Sequence, residues 1–125
     1  MELFLRFIFA LALTEAVEIP LAFGLRAVCV LPRDLSHADT LIPAALVNLL
    51  TNPLLNFILL TVNYFWGTGK VYFSFLAAGE IAVLVGEALL FRGLYRVRLI
   101  RAAAVSLILN TASFLAGIVF SSMII

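Results

Sequence analysis

Glu15, Glu18, Glu80 and Glu87 lie inside long apolar runs, where a carboxyl group finds no water to solvate it. Amides accompany them. Asn48, Asn52, Asn56 and Asn63 recur at spacings of four, four and seven, which puts them on one face of a helix. Ser106, Asn110, Ser113, Gly117 and Ser121 make a second small, polar stripe. Carboxyl and amide oxygens are hard donors, suited to a proton, Na⁺ or an oxygen-seeking divalent ion rather than a soft metal. An acidic residue at the centre of a membrane helix costs about 2.5–3.5 kcal/mol. Three isolated charges would therefore cost roughly 7–10 kcal/mol, comparable with the stability of a whole domain. Protonation, hydrogen bonds to the asparagines, or a bound cation can offset that cost. Glu15, Glu18 and Glu80 are expected near mid-depth, with Glu87 nearer one end and within reach of Arg92.

The same residues have a plainer use. Asn, Ser and protonated Glu join helices, and Gly79, Gly86 and Gly117 are small enough to let helices approach. Glutamate is a costly choice for that purpose, since Gln or Ser would serve, so the acids read as functional. Pro20 and Pro53 read as helix kinks. His37 is a solvated loop residue, because no second His or Cys stands near it to share a metal. Gly67-Thr68-Gly69-Lys70 lacks the spacing of a phosphate-binding loop. No nucleophile with a base at helical spacing occurs, so no enzyme and no cofactor is expected.

Composition dictates what must hold these groups. Hydrophobic residues make up 65% and charged residues 12% of the 125, and mean hydropathy is +1.20. No soluble fold of this size can bury so much apolar surface, so a lipid bilayer is the expected solvent. A net charge of +1 provides no field for nucleic acid. The single Cys29 forms no internal disulfide. Four spans fit, at about Leu3–Leu25, Leu41–Val62, Val71–Phe91 and Ala102–Ile125, within one membrane domain over 1–125. The first is too long and too interrupted by Glu15, Glu18 and Pro20 for a cleaved signal peptide.

Arginines set the expected orientation. Arg26, Arg33, Arg92, Arg96, Arg98 and Arg101 fall on the side of the first and third loops, and only Arg6 and Lys70 fall opposite. Loops 26–40 and 92–101 are then cytoplasmic and both termini outside, in the inner membrane of a prokaryote. Tyr64, Phe65, Trp66 and Tyr72 mark the outer interface.

A shift of 62 residues aligns Glu18 with Glu80, Gly24 with Gly86, Asn48 with Asn110 and Thr51 with Ser113. The expected fold class is therefore all-α integral membrane: four transmembrane helices formed by tandem, parallel duplication of a helical hairpin. Repeat 1 covers about 1–63 and repeat 2 about 64–125, with Glu18 and Glu80 as counterparts. All four polar faces turn inward, since lipid cannot solvate them. The expected site comprises Glu15, Glu18, Asn48, Asn52, Asn56, Glu80, Glu87, Asn110 and Ser113. The expected function is a small transporter or channel for a proton, a cation or a cation-coupled polar solute. The alternative is a non-catalytic subunit of a larger membrane complex, its polar faces serving as contacts. Apart from the bilayer, the expected partners are further copies of the chain or that complex.

Overall fold

The computed structural model describes residues 2–124, and in four helices the side chains of Leu3, Ser121 and Ile124 fall outside what is described. The helices are α1 (Glu2–Ala27), α2 (His37–Trp66), α3 (Lys70–Tyr95) and α4 (Leu99–Ile124). Each is long and apolar enough to cross a membrane. They extend past the apolar spans because hydropathy marks where lipid begins, whereas backbone hydrogen bonding continues into the interface. The expected end of the fourth span, Ile125, lies outside the described residues.

Helix boundaries follow local chemistry. Ser36 caps α2 by accepting from the Asp39 amide at 3.0 Å. Gly67 ends the same helix at φ 71°, a left-handed conformation that glycine adopts without strain. Pro20 lies inside α1, and Pro43 and Pro53 lie inside α2. Each removes one backbone donor from its helix.

Packing runs round a ring: α1 on α2, α2 on α3, α3 on α4 and α4 back on α1, with no close backbone approach across the diagonals among the described residues. This is an up-down-up-down bundle, as short connections require. The apolar core sits at one end, against the first and third loops. Leu25, Leu31, Val47, Phe91, Tyr95, Ala102, Val105 and Leu109 form it. Towards the α2–α3 turn, α1, α3 and α4 contribute no buried residue among those described. One half of the bundle is packed and the other is open.

The first loop closes the packed end. Leu31 folds back beneath α1, its amide donating to the Leu25 carbonyl at 3.1 Å, and its side chain is fully buried. Three arginines tie the loop down. Arg26 donates to the Leu35 carbonyl at 3.0 Å, Arg33 to Ala27 at 3.1 Å and Arg101 to Cys29 at 3.3 Å. Tyr95 adds a buried bond across the core, its hydroxyl donating to the Thr40 carbonyl at 2.6 Å. His37 begins α2 with its side chain exposed, its ring 5.7 Å from that of Phe23.

Some buried positions of the two halves coincide, at two different offsets. Under the 62-residue shift, Thr40, Pro43, Ala44 and Val47 of α2 fall on Ala102, Val105, Ser106 and Leu109 of α4, and all eight are buried. For α1 and α3 that shift fails: Glu18 is buried and Glu80 exposed. A shift of 69 instead sets Glu18 and Ala22 on Glu87 and Phe91, all four buried. The connecting loops also differ in length. Nine residues, 28–36, join α1 to α2, but only three, 96–98, join α3 to α4. The shorter turn passes through Arg96 at φ 55°. Glu18 and Glu87 are buried, whereas Glu80, expected as the counterpart of Glu18, is exposed.

Of the three glycines expected to permit close approach, only Gly79 does so. A Cβ there would meet the Leu55 side chain of α2, whereas Gly86 and Gly117 have open space around them.

Candidate functional site

At the inner limit of the open half lies a cavity of about 170 Å³. Glu18 and Thr14 reach it from α1, Asn48, Thr51 and Asn52 from α2, Glu80 and Glu87 from α3, and Asn110 and Ser113 from α4. Leu55, Val83 and Phe114 complete the lining, which contains no basic residue. Amphipathic spacing accounts for the convergence: Asn48 and Asn52, like Glu80 and Glu87, lie on a common helical face. The packed core closes the site on the side of the first and third loops.

The four glutamates differ in how they are held. Glu87 is buried and has the most donors. Its Oε1 accepts from Thr51 Oγ1 at 2.7 Å, and its Oε2 accepts from Ser106 Oγ at 3.3 Å and from Asn110 Nδ2. The expected approach of Arg92 is not found, and the only ion pair among the described residues is Arg6 with Glu2, at 2.6 Å and exposed. Arg92 is five residues from Glu87, about 140° round the helix from it at 3.6 residues per turn.

Glu18 is only 4% exposed. Its Oε1 accepts from Ser113 Oγ at 3.1 Å, and no described donor reaches its Oε2. Glu15, partly buried, accepts from Asn48 Nδ2 at 3.0 Å through Oε1, while its buried Oε2 has no partner among the described residues. Glu80 faces the cavity and makes no hydrogen bond among the described side chains.

The amide stripe of α2 is a chain of bonds. Asn52 Nδ2 donates to Asn48 Oδ1 at 2.9 Å, and Asn56 Nδ2 donates to the Asn52 carbonyl at 2.9 Å. Asn63 closes the far end, accepting from Thr68 at 2.7 Å. Between these ends, Asn56, Asn63, Thr68 and Tyr72 line a second cleft at the α2–α3 turn. Polar groups thus run from that turn to the acids.

Seven of the nine expected residues line the main cavity: Glu18, Asn48, Asn52, Glu80, Glu87, Asn110 and Ser113. Glu15 stands behind it, on Asn48. Asn56 lies in the neighbouring clefts instead. Ser106 and Thr51 were visible as small polar residues on the right faces, but their shared role as donors to Glu87 required the packing of three helices. Thr14, whose hydroxyl donates to the Ala10 carbonyl at 2.9 Å, gave no signal beyond its position one turn before Glu18.

Chemically, the site can accept and orient a positively charged or donor-rich guest, or hold protons on carboxyls that protein donors position. The chain matches no protein-family model, and no match is found among curated proteins or solved structures.

Proposed function

We propose that this is a small integral membrane protein, a transporter or channel, whose intramembrane Glu/Asn site handles a proton, a cation or a polar solute coupled to one. The observation that carries this reading is the cavity itself: three glutamates from two helices and no basic residue in its lining. Structural glue alone does not require a carboxyl that lines a cavity without a described hydrogen bond, as Glu80 does. Asn56 and Asn63 supply a polar route from the α2–α3 turn.

The same proposal includes the origin and placement of the chain. It derives from a duplicated hairpin whose second copy has a shorter connecting loop. Glu18 and Glu87 are then counterparts across a pseudo-two-fold along the membrane normal. The arginine bias puts the packed end in the cytoplasm and the open end outside, in the inner membrane of a prokaryote.

The test is reconstitution in liposomes with a trapped pH indicator and imposed pH or cation gradients. Wild type is expected to dissipate a gradient faster than protein-free vesicles. Glu18→Gln and Glu87→Gln are expected to abolish that difference while still folding. Equal rates for wild type and both variants would reject the reading.

A second reading is favoured by the open half of the bundle. An accessory subunit would leave such a surface for a partner helix to fill. It predicts that the chain alone moves nothing, and that it co-purifies with a larger membrane complex from native membranes.

A further inference from the structure

We infer that Glu15, which does not line the cavity, is a positioning residue: it fixes which way round the amides of α2 sit, so that Asn52 offers the site an oxygen. This deepens the proposed function and rests on it, because it concerns the orientation of groups in the same site.

The bonds run in one direction. Asn48 Nδ2 donates to Glu15 Oε1 at 3.0 Å, and Asn52 Nδ2 donates to Asn48 Oδ1 at 2.9 Å. A side-chain amide donates at one end and accepts at the other, so two in series point the same way. Turning both round would keep the bond between them but set the Asn48 oxygen against Glu15 Oε1, acceptor on acceptor. Ionised, or carrying its proton on Oε2, Glu15 can only accept at Oε1. Nothing further along opposes that choice, since Asn56 bonds the Asn52 backbone carbonyl rather than its side chain. Gln at this position could offer either end and would select neither direction. That accounts for an acid where an amide would bond as well, and at a cost: Glu15 Oε2 is buried with no partner among the described residues.

Asn52 lines the cavity, and its Oδ1 accepts from no described residue. The second hairpin has the same arrangement. Asn110, 62 residues after Asn48, also gives its Nδ2 to a glutamate of the preceding helix, Glu87, and its Oδ1 likewise accepts from no described residue. The two acids differ in place: Glu87 lines the cavity, whereas the bond of Glu15 goes to Asn48 behind it. The lining hydroxyls of Thr14, Thr51 and Ser113 are already given to protein oxygens. Set this way, the amides leave acceptors in the lining and admit a guest that brings its own donors. Set the other way, Asn52 would offer its NH2 and admit an acceptor.

The experiment is side-chain amide NMR of the full chain in detergent, with heavy nitrogen placed selectively in asparagine, beside the liposome assay. In wild type, the Asn48 and Asn52 NH2 groups are each expected to hold a proton that exchanges slowly with solvent. Glu15→Gln keeps the length and a bond but not its direction. It is expected to shift or double the Asn48 and Asn52 signals and to leave that of Asn110 unchanged. It is also expected to slow gradient dissipation about tenfold, equivalent to about 1.4 kcal/mol and within the worth of one hydrogen bond. A merely structural Glu15 predicts that Gln preserves the bond, the Asn52 signal and the rate. Unchanged Asn52 signals in folded Glu15→Gln, or rapid exchange of both NH2 groups in wild type, would overturn the inference, and the wild-type measurement stands even if the variant does not fold. Where wild type dissipates a gradient, an unchanged rate in the variant overturns it too, and the proposed function survives. If wild type dissipates none while the Asn52 signals respond to Glu15→Gln, the proposed function falls and the orientation of the amides by Glu15 holds.

Discussion

Thr51 and Ser113, 62 residues apart, occupy matching places: each hydroxyl reaches across to a glutamate on the neighbouring helix, Thr51 to Glu87 at 2.7 Å and Ser113 to Glu18 at 3.1 Å. Each also bonds a carbonyl in its own helix, Val47 for Thr51 and Asn110 for Ser113. The two acids receive unequal support, however. Losing Thr51 leaves Glu87 with Ser106 and Asn110, whereas losing Ser113 leaves Glu18 with no described donor. Ser113→Ala is therefore expected to impair any proton or cation dependence more than Thr51→Val. Each change should cost about 1–3 kcal/mol in stability, the range for an underbonded buried polar group. Chemical unfolding in detergent and the liposome assay give the two readouts.

Glu87 tests whether its charge serves stability. Its three donors all have a second acceptor: Thr51 bonds Val47, Ser106 bonds Leu84 and Asn110 bonds the Ser106 carbonyl. Removing the carboxyl therefore leaves none of them without a partner. Glu87→Leu is expected to be neutral or to stabilise the bundle by about 1–4 kcal/mol, as apolar replacement of buried polar groups often does. A loss above about 3 kcal/mol in denaturant unfolding would mean that the acid is needed for folding.

Gly79 and Leu55 control the cavity wall. A methyl at Gly79 would press on Leu55, which lines the cavity and has a flexible end able to move. The helix gains up to about 1 kcal/mol from replacing glycine by alanine, and overpacking costs about 1–3 kcal/mol. Gly79→Ala alone is expected to cost no more than about 2 kcal/mol. Combined with Leu55→Ala, it should cost less than the sum of the single changes. A double-mutant cycle by thermal unfolding measures that coupling.

Orientation is open to thiol labelling with a membrane-impermeant reagent. A cysteine at Thr68 is expected to react from outside, and one at Ser36 or Arg98 only after the membrane is opened. Cys29 must first be replaced, since it is exposed. Its φ of 66° lies in the left-handed region, so Cys29→Gly is expected to be more stable than Cys29→Ala by about 1 kcal/mol. The reverse labelling pattern would reject the arginine count as a guide to orientation.

The four helices and the inward faces of their polar residues were legible because lipid allows few alternatives. The depth of each acid along its face was not. Seven residues make almost two full turns, so Glu80 and Glu87 share a face while lying about 10 Å apart along the axis. An alignment by face fits either of them to Glu18. The folded bundle buries Glu87 and leaves Glu80 exposed. Nor could the arginine count reveal that Arg26, Arg33 and Arg101 spend donors on loop carbonyls. A charge that biases orientation during insertion is free to take such a bond afterwards.

Pro20 follows Glu18 by two residues, and Pro53 follows Thr51 by two. At these points α1 and α2 lack the backbone bonds to Ala16 and Leu49 that an unbroken ladder would hold. Bending there stretches nothing that has not already been given up. Helices α3 and α4 contain no proline and keep their ladders whole. The first hairpin is thus the compliant arm of the bundle and the second the stiff one. Two of the first hairpin's three helix prolines lie at the depth of the acids, and the third, Pro43, is held buried in the packed base, so a small tilt of the outer segments about the first two would alter the width of the vestibule.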